Sequence, residues 1–278
     1  MAAIADLDTL TNLITGGGAG APETIWWHKS PRVGAAAAAA NVAGKWTSLW
    51  NYDGQPSDGA APGAVANPTN ATAGALKQTD AGGGRQKYLL GICAGNISAG
   101  TLMLYDRLLH ISGFSGTNTG AQTVGSTLTR STGGDDNLIF AEIYTAVGST
   151  ATTITASYTN TTPTAGRTTQ AEVFGAAGAA EAQRMIPLSL QQGDTGVTAV
   201  ASCTVLASTL TAGNFGITIG RPIALIPLGV VGMGGMRDLM LNCPCMLPIE
   251  AGSCLAWAWH ANTTTVPQFM GYCSFVES

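Results

Sequence analysis

Charge is what this chain has least of. Asp, Glu, Lys and Arg make up 10% of its 278 residues, against about a quarter in ordinary globular domains. Thr, Ser, Asn, Gly and Ala must therefore cover much of the surface. Such a surface loses little when buried against a neighbour, because desolvating a charge costs far more than desolvating a methyl or hydroxyl group. Assembly is the reading this favours. Basic residues are the scarcer sign, 12 Lys and Arg against 16 Asp and Glu for a net charge of −4. There is no electrostatic footprint for gripping phosphates, so nucleic acid is not an expected partner.

Long apolar runs are missing as well. The most apolar stretch, Ile217 to Met236, is interrupted by Arg221, Pro222 and Pro227 and studded with Gly, which argues against a lipid-spanning helix and a membrane partner. Met1 to Leu13 carries Asp6 and Asp8 but no Lys or Arg. It lacks the positive and apolar regions of a secretory leader, so synthesis in a cytoplasm is expected. In that setting Cys93, Cys203, Cys243, Cys245, Cys254 and Cys273 read as buried thiols rather than disulfides.

Helical periodicity occurs once. Ile4, Leu7, Leu10 and Ile14 recur at helical spacing before the stop at Gly16 to Gly18, which predicts one short amphipathic helix. It serves either as a flap on its own domain or as a contact with a neighbouring subunit. From Gly16 to about Leu76, Gly, Pro and Ala mix with Trp26, Trp27, Trp46, Trp50 and Tyr52. Disordered linkers are depleted in aromatics, whereas an extended arm lying on a partner would use Trp as anchors. The run Ala35 to Ala40, bracketed by Gly34 and Gly44, is too short for a stable helix. Residues 1–76 are therefore expected to form a helix and an extended arm.

Residues 77–278 change character to short runs rich in Thr, Val and Ile separated by Gly, Asn and Pro, the pattern of many antiparallel strands. The expected strands are Lys87 to Ala94, Thr101 to Ile111, Asn137 to Ala146, Thr152 to Tyr158, Ala182 to Leu188, Val197 to Leu206, Ile223 to Pro227, Arg237 to Leu241, Cys254 to His260 and Phe269 to Phe275. Leu255, Trp257 and Trp259 alternate with Ala256, Ala258 and His260, so both faces of that strand read as buried. Leu138, Phe140 and Tyr144 share a face with Glu142, which lies at the sheet margin or pairs with a cation; Ile139, Ala141 and Ile143 line the other. An all-β fold follows, a jelly-roll-like antiparallel sandwich with a short N-terminal helix and an extended arm.

Chemistry-bearing motifs are weak. His28 follows the Trp pair, while His110 and His260 each end an apolar strand, and all read as packing residues. Cys243 and Cys245 are too closely spaced for a zinc knuckle and have no second close pair. Asp194-Thr195-Gly196 matches the aspartic protease tripeptide, but its flank is polar and no second copy occurs, so it reads as a turn. Gly82-Gly83-Gly84-Arg85 and Gly232-Met233-Gly234-Gly235 lack the strand and helix context of a phosphate loop. Asp135-Asp136 reads as a solvated turn rather than a cation site. No catalytic, metal or cofactor residue is assigned, and the chain is not expected to be an enzyme.

Several stretches resemble virion proteins encoded among the head genes of tailed bacteriophages. They are Leu7-Asp8-Thr9-Leu10 through Thr24-Ile25-Trp26, Ser48-Leu49-Trp50-Asn51-Tyr52-Asp53-Gly54, Ala71-Thr72-Ala73-Gly74-Ala75-Leu76, Leu104-Tyr105-Asp106-Arg107-Leu108-Leu109-His110 and Phe140-Ala141-Glu142-Ile143-Tyr144. The resemblance implies a virion role of the capsid decoration or cement type. A jelly-roll-like domain would then sit on the capsid surface in multiple copies, as a dimer or trimer, and bridge the major capsid protein. The expected contact residues are Trp26, Trp27, Trp46, Trp50 and Tyr52, with Ile4, Leu7 and Leu10 behind them. A tail-associated or receptor-binding module and a main shell-forming subunit are the competing readings.

Overall fold

The computed structural model describes residues 7–15, 22–31, 41–238 and 248–277. Ile4, the Ala35 to Ala40 run, Cys243, Cys245 and the end of the expected Arg237 to Leu241 strand lie outside them. The expected helix is present as α1 (Leu7–Ile14). Three strands follow in the segment expected to be an arm: β1 (Glu23–Ser30), β2 (Trp46–Ser48) and β3 (Asp53–Gln55). Then come β4 (Lys87–Asn96), β5 (Gly100–His110), β6 (Gln122–Thr127), β7 (Leu138–Thr145) and β8 (Thr152–Asn160). They are followed by β9 (Arg167–Thr168), β10 (Glu172–Phe174), β11 (Met185–Leu188), β12 (Val197–Val205) and β13 (Asn214–Leu228). The chain closes with β14 (Gly234–Asp238), β15 (Pro248–Ile249), β16 (Leu255–Ala261) and β17 (Phe269–Glu277).

These strands form three antiparallel sheets. Sheet I runs β14-β4-β17-β1-β3 with β15 also on β4; sheet II runs β11-β7-β13-β5-β16-β2; sheet III runs β10-β8-β12-β6 with β9 on β8. Sheet II carries both other sheets on one of its faces. On one face Leu102, Leu104, Ala224, Ile226, Leu255, Trp257 and Trp259 pack with Trp27, Leu89, Ile92, Phe269 and Phe275 of sheet I. Further along, Ile139, Ala141, Ile143, Phe215, Ile217 and Ile219 pack with Ile154, Ala156, Val200, Cys203 and Val205 of sheet III. The reverse face carries Met103, Tyr105, Phe140, Tyr144, Ala256 and Ala258, and the loop residues Trp50 and Ala75 cover it. Both faces of β16 and β7 are thus buried, as their alternation predicts.

The arm is corrected by this pairing. β1 lies between β17 and β3 in sheet I, with Glu23 opposite Phe275 and Lys29 opposite Phe269, and β2 closes the edge of sheet II against β16. Strands β1, β2 and β3 of the 1–76 segment are therefore built into the same sheets as the C-terminal strands. Lys87, 1% exposed, reinforces the junction: its Nζ lies 2.6 Å from Glu23 Oε2 on β1 and 3.6 Å from Glu277 Oε1 on β17. Arg130 reaches the Pro68 carbonyl at 2.8 Å and so ties the covering loop down. Gly59 is needed where that loop crosses the Trp50 indole, since a Cβ there would overlap the ring.

Candidate functional site

Among the described residues, the outer face of sheet I is covered only partly. Alternation along each strand turns Trp26, Tyr272, Cys93 and Met236 outward, and the register aligns them in one row across β1, β17, β4 and β14. The next row is His28, Met270, Gly95 and Gly234. Trp26 is 71% exposed and its ring sits 5.3 Å from that of Tyr272, whose hydroxyl is 4.0 Å from the Met236 sulfur. Between the rows opens a groove of about 890 Å³, lined by Trp26, His28, Gln55, Cys93, Ile97 and Met270 among others. Helix α1 covers the other end of this face, where Leu10 packs on Tyr88, Leu90 and Val276.

The residues expected to meet a partner separate by strand parity. Trp26 faces out, but its neighbour Trp27 is 2% exposed and stacks on Trp257 with ring centroids 4.2 Å apart. Trp50 and Tyr52 are buried to 1% and 0%. These three are corrected to core residues, because the strands and loop that carry them pack inside the molecule. Trp46 is half-buried, edge-on to His260 at 5.1 Å. Leu10 is committed to sheet I, whereas Leu7 is exposed. Of the described residues named in advance, Trp26 and Leu7 remain fully open. Met236, Met270, Tyr272 and the two glycines were not foreseen. The alternation Phe269, Gly271, Cys273 against Met270, Tyr272 carried the signal, without indicating which side stays uncovered.

Beneath the covering loop lies a buried polar network. Arg107 Nη2 donates to Glu142 Oε2 and to the Tyr144 hydroxyl, both at 2.6 Å, Nη1 to the Tyr105 hydroxyl at 3.1 Å and Nε to His110 Nδ1 at 2.9 Å. Thr218 Oγ1 donates to the same Glu142 oxygen at 2.6 Å, and the guanidinium lies 4.5 Å from the Trp50 ring centre. Burial alone would raise the Glu142 pKa, but the Arg107 charge and these donors hold it below the ordinary carboxylate range. Burial, then the Arg107 charge, pushes His110 down to about 3, so it is a neutral acceptor. Glu142 is thus paired with a cation in the sheet interior. A β-bulge makes this possible: the β5 and β13 register shifts between Ile219 and Gly220, so Leu108 and Leu109 both enter the core and Arg107 and His110 share the reverse face.

Elsewhere, titratable groups are absorbed by packing. Burial raises the Cys203 and Cys254 thiols to about 12 and Cys273 higher still, making them poor nucleophiles. Asp194 accepts from Tyr158 Oη, from Asn160 Nδ2 at 2.8 Å and from Arg167 Nε at 2.5 Å, and so staples the turn before β12. His28, His110 and His260 lie on β1, β5 and β16 with different neighbours. Among the described residues no group of three or more His, Cys, Asp or Glu could hold a metal ion, and no helix is long and apolar enough to cross a membrane. No family model matches the chain, and no curated protein or solved structure matches it either.

Proposed function

We propose that the chain is a viral structural protein of the capsid decoration or cement type, carried on the outer surface of a tailed-phage head and bridging subunits of the major capsid protein. The observation that carries the assembly part of this reading is the uncharged face around Trp26. An indole 71% exposed on a face that also carries two methionines and a tyrosine is a surface that gains by being covered. The virion part rests on the resemblance of the stretches around Trp26, Trp50, Arg107 and Glu142 to head-gene proteins. A jelly roll is the form of sandwich proposed, supported by antiparallel pairing between strands distant in sequence, such as β1 beside β17. A bridging protein binds by many modest contacts, because one attached end raises the effective concentration of the next.

The test is binding to purified shells that lack this protein. Wild type is expected to saturate the shells, and Trp26→Glu, which disrupts the assembly face and with it multivalent attachment, to bind at least about tenfold more weakly. Wild type that ignores the shells would overturn the decoration role. Isolated protein that closes into particles would instead make it the shell-forming subunit. A second reading, a tail-associated module that binds carbohydrate, is favoured by one feature: a cleft of about 350 Å³ where half-buried Trp46 meets Lys45, Glu172 and His260. Location of the chain at the tail in a particle reconstruction would select it.

A further inference from the structure

The Trp26 face has the attributes of a surface that meets its own copy. Gly95 and Gly234 sit side by side in its second row, and neither has the positive φ that would require glycine. Packing does not require it either: a Cβ at Gly95 would meet nothing nearer than the Met270 carbonyl oxygen at 3.9 Å, and one at Gly234 the Ala94 carbonyl oxygen at 3.4 Å. β-strands disfavour glycine, so the two missing side chains weaken the sheet while hollowing its outer surface. One row away stands the Trp26 ring. A projecting indole and a hollow on the same face are the two halves of a reciprocal contact, in which each copy's knob enters the other's groove about a two-fold axis.

Area and charge point the same way. Trp26, Met236 and Met270 on the face, with Ile97, Val231 and Met233 in the turns at its end, are each 46 to 72% exposed. Their open surface is on the order of 800 Å², about what a standard interface removes from each partner and more than the 300–600 Å² patch of a typical monomer. A two-fold contact cannot carry excess charge of one sign, since it would face itself. The two rows hold no Asp, Glu, Lys or Arg, and β14 supplies one of each sign at the rim, Arg237 and Asp238. Lys29 lines the groove wall but turns inward, its Nζ bonded to the Tyr52 and Ser57 carbonyls at 3.0 and 3.2 Å.

We infer that the chain forms an isologous dimer through the outer face of sheet I, the Trp26 of each copy seated in the Gly95–Gly234 hollow of the other. This rests on reading that face as an assembly surface and names its occupant as a second copy. Sedimentation of the isolated full chain tests it. Wild type is expected to sediment at twice the 28.1 kDa chain mass. Gly95→Leu, which fills the hollow without touching the core, and Trp26→Glu, which sets like charges across the axis, are each expected to weaken the dimer at least about tenfold. Both variants should unfold at the temperature of a wild-type sample diluted to monomer. A wild type that remains monomeric at high concentration, or a dimer that survives both substitutions, would overturn the inference. Shell binding separates it from the decoration role: monomers that bind shells through Trp26 would retain that role and refute the dimer. A dimer indifferent to shells would do the reverse.

Discussion

Arg107 and Glu142 show how far one buried charge constrains its surroundings. With side chains at 0% and 2% exposure, each is tolerated because the other is present. Removing one partner of such a pair costs about 3–5 kcal/mol, since the remaining charge is left uncompensated. Glu142→Gln is accordingly expected to lower unfolding free energy by about 3 kcal/mol in urea titration; a loss below about 1 kcal/mol would mean that Arg107 finds its compensation elsewhere. His110 makes the same network sensitive to acid. Its folded pKa is pushed down to about 3 from an ordinary 6.5, so between those values the unfolded chain binds a proton that the folded chain refuses. Stability is complete above about pH 6.5 and falls as pH drops, with a slope approaching about 1.4 kcal/mol per unit. His110→Gln, whose side-chain oxygen can still accept from Arg107, should flatten that slope; an unchanged pH profile would assign the acid sensitivity to other groups.

At the scale of the element, β1 separates two tryptophans that are adjacent in sequence. Trp27 enters the layer between sheets I and II, so Trp27→Ala should cost about 3–5 kcal/mol. Trp26→Ala, in the same strand but outside the core, should change monomer stability by less than about 0.5 kcal/mol. Equal effects in thermal unfolding would contradict the parity assigned to β1. Helix α1 is the lesser element. Eight residues seldom form a stable helix alone, and its hold on sheet I comes through Leu10, 3% exposed against Val276. Leu10→Ala should release α1 to rapid amide exchange while β1 and β17 stay protected.

For the whole molecule, the decisive fact is that the N-terminal segment closes both sheets I and II. Deleting residues 1–76 removes β1, β2, β3 and the loop that carries Trp50 and covers the Arg107 network. Such a truncation should lose cooperative unfolding altogether, so it cannot serve as a selective test of partner contacts; a folded truncation would revive the separate arm. Sparse charge sets another expectation. A contact between uncharged faces is little screened by salt, so raising salt from about 0.05 to 0.5 M should leave the proposed dimer intact, in contrast to an interface held by ion pairs.

The fold class was legible in the residues themselves. Turn signals every few residues and the alternation of Leu255, Trp257 and Trp259 with alanines require buried strands, whatever their neighbours are. Most strands from β4 to β17 were located, β13 only over its last third and β14 only at its end, while β6, β9, β10 and β15 were missed, being short or polar. A two-residue period states which side chains share a face, but it says nothing of which face is covered. That depends on strand order, and placing β1 beside β17 joins residues about 250 apart in the chain. Only this closure turned Trp27 inward and left Trp26, Met270 and Met236 open, and only a bulge in β5 brought Arg107 and His110 to the same side to meet Glu142.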